Sequence, residues 1–139
     1  MKKYNRNMAE KKVVNFLYED ISYKIRGCTF NVYNSLGFGH KESIYQKALA
    51  IEFAKIGLNF EKEKTLPIIY EGKRIGTYRP DFVIDNKIII EIKAVEFMPK
   101  SYEIQLIYYL KGTGFRLGFL INFGGIRLDI RRKINSYQR

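Results

Sequence analysis

From Val14 onward the apolar side chains fall at Val14, Leu17, Ile21, Ile25, Cys28 and Val32. Steps of three and four residues are the period of one helix face, so a helix is predicted from Val14 to about Ser35, with Gly27 its weak point. The glycines of "SLGFGHKESIY" break it, and a second helix is predicted from Lys41 to Lys55. Tyr45, Leu49, Phe53 and Ile56 carry its apolar face, and Gly57 stops it. From Asn59 the pattern changes. "NFEKEKTLPIIYEGKRIGTYRPDFVIDNKIIIEIKAV" reads as three strands punctuated by the turn dipeptides Glu71-Gly72 and Asp85-Asn86. A third helix is predicted from Lys100 to Lys111, ended by Gly112 and Gly114. Two last strands, "FRLGFLINF" and "IRLDIRR", meet at Gly124-Gly125 as a hairpin. The order ααβββαββ, without repeat or linker, predicts one α/β domain over residues 1–139.

The hairpin through Asp85-Asn86 has two conceivable registers. A two-residue loop would put Phe82 and Ile84 on the same face as Glu91 and Lys93, mixing oil with charge. A loop with an odd number of residues, Asp85 to Lys87, pairs Ile84 with Ile88 and Asp81 with Glu91. One face then carries Phe82, Ile84, Ile88, Ile90 and Ile92; the other carries Asp81, Val83, Ile89, Glu91 and Lys93. Register follows the pairing that buries a clean apolar face, which favours the odd loop. Directly opposed residues have Cβ atoms about 5 Å apart. Two carboxylates that close are costly unless a cation lies between them or one is protonated. Hard oxygen ligands suit Mg²⁺ or Mn²⁺. The alternative is an exposed strand face on which the three charges are merely solvated. The continuous apolar run of "KIIIEIKAV" argues against it, because an edge strand is rarely so oily.

Composition changes the picture in two ways. The chain is 46% hydrophobic, enough to bury a core, and its Lys and Arg outnumber Asp and Glu by 25 to 14, a formal charge of +11. So strong a basic excess on a small domain points to a polyanionic partner, nucleic acid by default. A single cysteine, Cys28, excludes an internal disulfide and a cysteine-based zinc site. The charged start MKKYNRNMAEKK is followed by no apolar segment of signal-peptide kind, and no window has the length of a membrane span; the expectation is a cytoplasmic protein.

Pro80-Asp81 followed by Glu91-Ile92-Lys93 on the next strand resembles the active-site signature of the PD-(D/E)xK nuclease superfamily. Three further stretches sharpen the resemblance. "GHKESIY", with Gly39, Glu42 and Tyr45, reads as the G-x-x-E-x-x-Y motif of the small GxxExxY family within that superfamily. "QLIYYL" places Gln105 and Tyr109 like the Q-x-x-x-Y motif of RecB-type nucleases, and "LGFLINFG" is similar to the strand that closes the GxxExxY domain. Phe38 and Lys41 depart from the proline and the apolar residue expected around the first motif. The resemblance runs from about Ile21 to Lys133 and implies a restriction-endonuclease-like fold, a central mixed sheet flanked by helices.

It also implies roles. Asp81 and Glu91 would be direct metal ligands, Glu42 an acidic residue lent by a helix, and the Ile92 carbonyl a backbone ligand. Lys93 would orient or help deprotonate the attacking water and offset charge on the phosphate. Gln105 would lie near that water or the substrate phosphate, with Tyr109 supporting it. Lys73, Arg74, Arg79, Arg127 and Arg131 are candidate phosphate contacts, which position a nucleic acid without reading its sequence. The leading expectation is a Mg²⁺-dependent deoxyribonuclease, structure-directed, that acts as a homodimer by analogy with other nucleases of this fold. The rival is a non-catalytic nucleic-acid-binding or regulatory module on the same fold.

Overall fold

The computed structural model describes residues 17–136, so Val14, at the start of the first predicted helix, lies outside the described residues. Helix α1 spans Glu19–Leu36 and α2 spans Glu42–Lys55. Gly27 does not interrupt α1, which buries Ile25, Cys28 and Val32 as its period requires. Strands β1 (Phe60–Lys62), β2 (Leu66–Tyr70), β3 (Lys73–Tyr78), β4 (Phe82–Ile84) and β5 (Ile88–Lys93) follow. Helix α3 (Lys100–Thr113), β6 (Leu117–Asn122) and β7 (Asp129–Ile134) complete the order.

Five strands therefore stand before α3 where the apolar pattern predicts three. The first predicted strand splits at Glu63, whose φ of 52° turns the chain out of β1 before Leu66 begins β2. The second splits at Arg79-Pro80, because proline has no N–H for a ladder and restricts the residue before it. The pieces belong to different sheets. The main sheet has the order β1-β4-β5-β6-β7, and β2-β3 form a separate two-stranded arm.

In the main sheet only β5 and β6 run parallel; the other neighbours are antiparallel. The parallel pair needs a crossover, which α3 supplies. Helix α3 also continues past Lys111 to Thr113, beyond the glycine expected to end it. Gly112 sits against Ile68 of β2, where a Cβ would come 3.0 Å from the Ile68 side chain. The arm thus packs so closely on α3 that a side chain at 112 would need the Ile68 side chain to shift by a few tenths of an ångström. Gly114, with φ 82°, ends the helix in the left-handed conformation glycine adopts freely.

The two faces of the sheet carry separate cores. Helices α1 and α2 cover one, where Phe82, Ile84, Ile88, Ile90 and Ile92 meet Ile25, Val32, Leu49 and Phe53. Helix α3 and the arm cover the other, where Val83, Ile89 and Leu120 meet Leu66, Tyr78, Leu106 and Leu110. Among the described residues no helix is long and apolar enough to cross a membrane.

Candidate active site

The hairpin joining β4 to β5 fixes the site. Ile84 pairs with Ile88, Val83 with Ile89 and Phe82 with Ile90, the odd-loop register. Asp85 and Asn86 take φ values of 51° and 55°, a left-handed pair that short polar side chains tolerate best. This register brings Asp81, just before β4, opposite Glu91. The Asp81 N–H donates to Glu91 Oε1 at 3.3 Å, and the Ile92 N–H donates to Asp81 Oδ2 at 2.7 Å. Strand alternation puts Lys93 on the same face, its Nζ 4.5 Å from the centroid of the Tyr102 ring.

Both carboxyls are held above the usual carboxylate range. Burial pushes the Glu91 carboxyl up most, the Asp81 charge adds to it, and it reaches about 7 despite the Tyr78 hydrogen bond and Lys93. Asp81 is raised chiefly by burial; the Ile92 N–H opposes this, and the Glu42 charge reinforces it. Glu42, the first residue of α2, is therefore near enough for its field to reach Asp81. It is exposed, and no side-chain hydrogen bond joins it to either carboxylate among the described residues.

Two residues without a predicted role complete the cluster. The Gln46 amide, one turn past Glu42, donates to Asp81 Oδ1 at 3.0 Å. The Tyr78 hydroxyl, buried at the base of the arm, donates to Glu91 Oε1 at 2.7 Å, and its ring stacks on Tyr109 with centroids 3.7 Å apart. Burial, reinforced by the Glu91 charge, pushes the Tyr78 phenol far up, so it stays a donor. Gln105 in turn donates to the Tyr109 hydroxyl at 3.4 Å. A line thus runs from the carboxylate through two stacked rings to the exposed Gln105. Nothing in the local sequence marks Tyr78 or Gln46; only the crossing of the arm over α3 and of α2 over β4 brings them in.

The candidate phosphate contacts separate. Arg79 is exposed two residues before Asp81, and Arg127 is exposed in the connection between β6 and β7. Lys73 and Arg74 are exposed at the tip of the arm, about 13 to 17 Å along β3 from Tyr78 at the usual strand rise. Arg131 is engaged: Asp129 Oδ2 lies 2.8 Å and Glu103 Oε2 2.6 Å from its guanidinium, and Glu103 also binds Lys133 at 2.6 Å. The last two strands do not meet in a tight hairpin at Gly124-Gly125. Asn122 pairs with Asp129, leaving six residues, 123–128, as a loop. Asn122 draws that loop aside, because its buried amide bonds the Val95 N–H, the Val95 carbonyl and the Gly124 N–H.

The chemistry of the donors bears on a metal. Among the described residues no three or more of His, Cys, Asp and Glu converge into a metal-holding group. What converges is a pair of carboxylates raised by burial and mutual repulsion, a set that calls for a proton or a cation. A Mg²⁺ ion is commonly held by one or two carboxylates, with water and phosphate oxygens filling the rest of its octahedron. Asp81 and Glu91 fit that demand.

The family model of the PD-(D/E)XK nuclease superfamily matches residues 19–133. No curated protein matches the chain. Among solved structures, the crystal structure of SSO0001 is similar at 23% identity and a TM-score of 0.50, over 70% of this chain and 52% of that one. This likeness concerns the fold, and the chain spans about half the length of that protein. With the helix-flanked mixed sheet and a match over nearly all the described residues, the chain belongs to the PD-(D/E)XK nuclease superfamily.

Proposed function

We propose that this protein is a metal-dependent nuclease of the GxxExxY group that hydrolyses phosphodiester bonds in DNA. The observation that carries the reading is the juxtaposition of half-buried Asp81 and Glu91 with Lys93 on one face of adjacent strands. Asp81 and Glu91 hold the cation, with the Ile92 carbonyl and Glu42 as further oxygen donors. Bound there, Mg²⁺ or Mn²⁺ supplies Lewis acidity toward water and the phosphoryl oxygen. Lys93 orients the attacking water, helps to take its proton and offsets charge on the phosphate. The Tyr78 hydroxyl fixes the Glu91 carboxylate, as partners of metal ligands commonly do. Gln105, bonded to Tyr109, contacts the phosphate or the attacking water. Arg79 and Arg127 hold the backbone near the site, and Lys73 and Arg74 hold it further out. Arg131, its charge offset by two carboxylates, serves chiefly to tie β7 to α3.

A non-catalytic binding module on the same fold is the second reading. It is favoured by the hydrogen bonds already satisfying both Asp81 oxygens and by the lack of a third converging ligand among the described residues. Cleavage of labelled single-stranded, duplex and branched DNA with Mg²⁺ or Mn²⁺ decides between them, with EDTA, Glu91→Ala and Lys93→Ala as controls. The nuclease reading expects metal-dependent cleavage that both substitutions abolish. Wild type that binds DNA without cutting it, while both variants bind equally well, would transfer the function to the binding module.

A further inference from the structure

Three loops meet at the end of the sheet where the parallel strands β5 and β6 finish. Residues 94–99 leave β5 directly after Lys93, residues 123–128 join β6 to β7, and residues 37–41 lead into α2 and Glu42. They are bound into one rim. The Phe123 N–H donates to the Lys93 carbonyl at 2.9 Å, and the Asn122 amide clasps Val95. The Tyr33 hydroxyl donates to the Gly125 carbonyl at 2.9 Å. Tyr45 donates to the Gly37 carbonyl and stacks on Phe123 at 4.3 Å.

Each loop of this braced rim displays one large apolar side chain to solvent. Phe97 is 83% exposed, Ile126 84% and Phe38 58%; Phe97 and Ile126 are the two most exposed large hydrophobic residues among those described. The first two stand on abutting backbone, since a Cβ on Gly125 would lie 3.7 Å from the Glu96 carbonyl. A rigid loop that leaves a phenyl ring almost wholly in water forgoes the burial that rings of this size ordinarily find, which marks a surface meant to be covered. An exposed cation follows each along the chain: Lys41 and Lys100 come three residues after Phe38 and Phe97, and Arg127 directly after Ile126, while the exposed Glu96 precedes Phe97. Rings and apolar wedges interleaved with cations are the chemistry of a surface for unpaired nucleic acid, where bases stack and phosphates are neutralised. A second copy fits less well, because two chains each of formal charge +11 would meet through their cations.

We infer that Phe38, Phe97 and Ile126 form a stacking rim for the bases of an unpaired strand, leading that strand to the Asp81–Glu91 pair. The inference rests on the nuclease reading for what happens to the strand, and stands apart from it for how the strand is held. Duplex DNA hides its base faces and gains nothing from such a rim; an unpaired strand gains at each base it stacks.

Fluorescence anisotropy in EDTA tests binding without cleavage. The probes are a labelled single strand of mixed sequence, an abasic strand of equal length, a duplex, and an RNA strand of the same sequence. Wild type should hold the single strand at least about tenfold more tightly than the abasic strand. Phe97→Ala should weaken single-strand binding by about tenfold, Phe97→Trp should restore it, and neither should change abasic binding. Equal RNA and DNA affinities fit a rim that reads base faces; tighter RNA binding names RNA as the strand and leaves the rim intact. Single and abasic strands bound alike would overturn the rim, even if the protein proves to be a nuclease. So would sedimentation showing a dimer that Phe97→Ala dissociates. Rim-dependent binding without metal-dependent cleavage would keep this inference while the nuclease reading fell.

Discussion

On one side of β5, Ile88, Ile90 and Ile92 are sealed beneath α1 and α2; on the other, an equally buried Ile89 is followed by Glu91 and Lys93. One strand therefore serves a core and a chemical site with alternate side chains. The apolar side gains from closeness alone: every methylene meets a neighbour, and burial stabilises by about 1.5–3 kcal/mol per large aliphatic side chain. The polar side holds its charges at a cost, visible in two carboxyls pushed above their ordinary range. Core and candidate site are one residue apart along the same backbone, and substitutions on the two sides should act in opposite directions.

The largest expected effect lies on the apolar side. Ile90→Ala should lower unfolding free energy by about 4 kcal/mol, because the site is enclosed on all sides and leaves a cavity. Urea denaturation measures it; a loss below about 1 kcal/mol would mean that the two layers collapse readily onto the gap.

A smaller effect of opposite sign is expected one residue on. The Glu91 carboxyl titrates near 7 in the fold against 4.5 ordinarily, so between those values the folded chain holds a proton that the unfolded chain has released. In EDTA, stability should therefore fall as pH rises from about 4.5 to 7 and stay low above, a loss on the order of 3 kcal/mol. Glu91→Gln should flatten that slope and make the protein more stable than wild type at pH 8. Parallel urea curves at pH 5 and pH 8 read the difference. An unchanged slope would show that Glu91 is not the group responsible.

The smallest effect sharpens the comparison instead of breaking it. Tyr78→Phe keeps the ring stacked on Tyr109 and removes only the hydroxyl that holds Glu91. It should cost about 1 to 2 kcal/mol in stability, yet weaken Mn²⁺ binding by about tenfold, as loss of a partner to a metal ligand does. Titration calorimetry with Mn²⁺ separates the two, and unaltered affinity would reduce Tyr78 to a packing residue.

What could be read from the sequence follows from how far each interaction reaches. The register of Asp81 against Glu91 was legible because alternation over Phe82–Ile92 leaves one arrangement with a clean apolar face. Helix α2 was legible from its apolar period and its flanking glycines. The splitting of the strands was not, because a single strand and two short ones from different sheets share a period of two; only Glu63 and Pro80 mark the breaks. Gly112 reads as a helix stop until the arm is seen pressing on it. The pairing of Arg131 with Glu103 crosses from β7 to α3, and the bond of Tyr78 to Glu91 joins the two sheets. Neither leaves a local pattern.

Gly124 carries no chemistry, yet a Cβ there would lie 2.5 Å from the backbone of Ala94 and Val95, which has no side-chain slack to absorb it. The backbones after β5 and β6 are in effect welded at this point. A side chain there would act as a wedge, prising the segment after Lys93 from its neighbour and misaligning ammonium and rim together. A screen for inactive variants should therefore return Gly124 beside the carboxylates, and anyone regrafting these loops for a new substrate should carry both across as a single part.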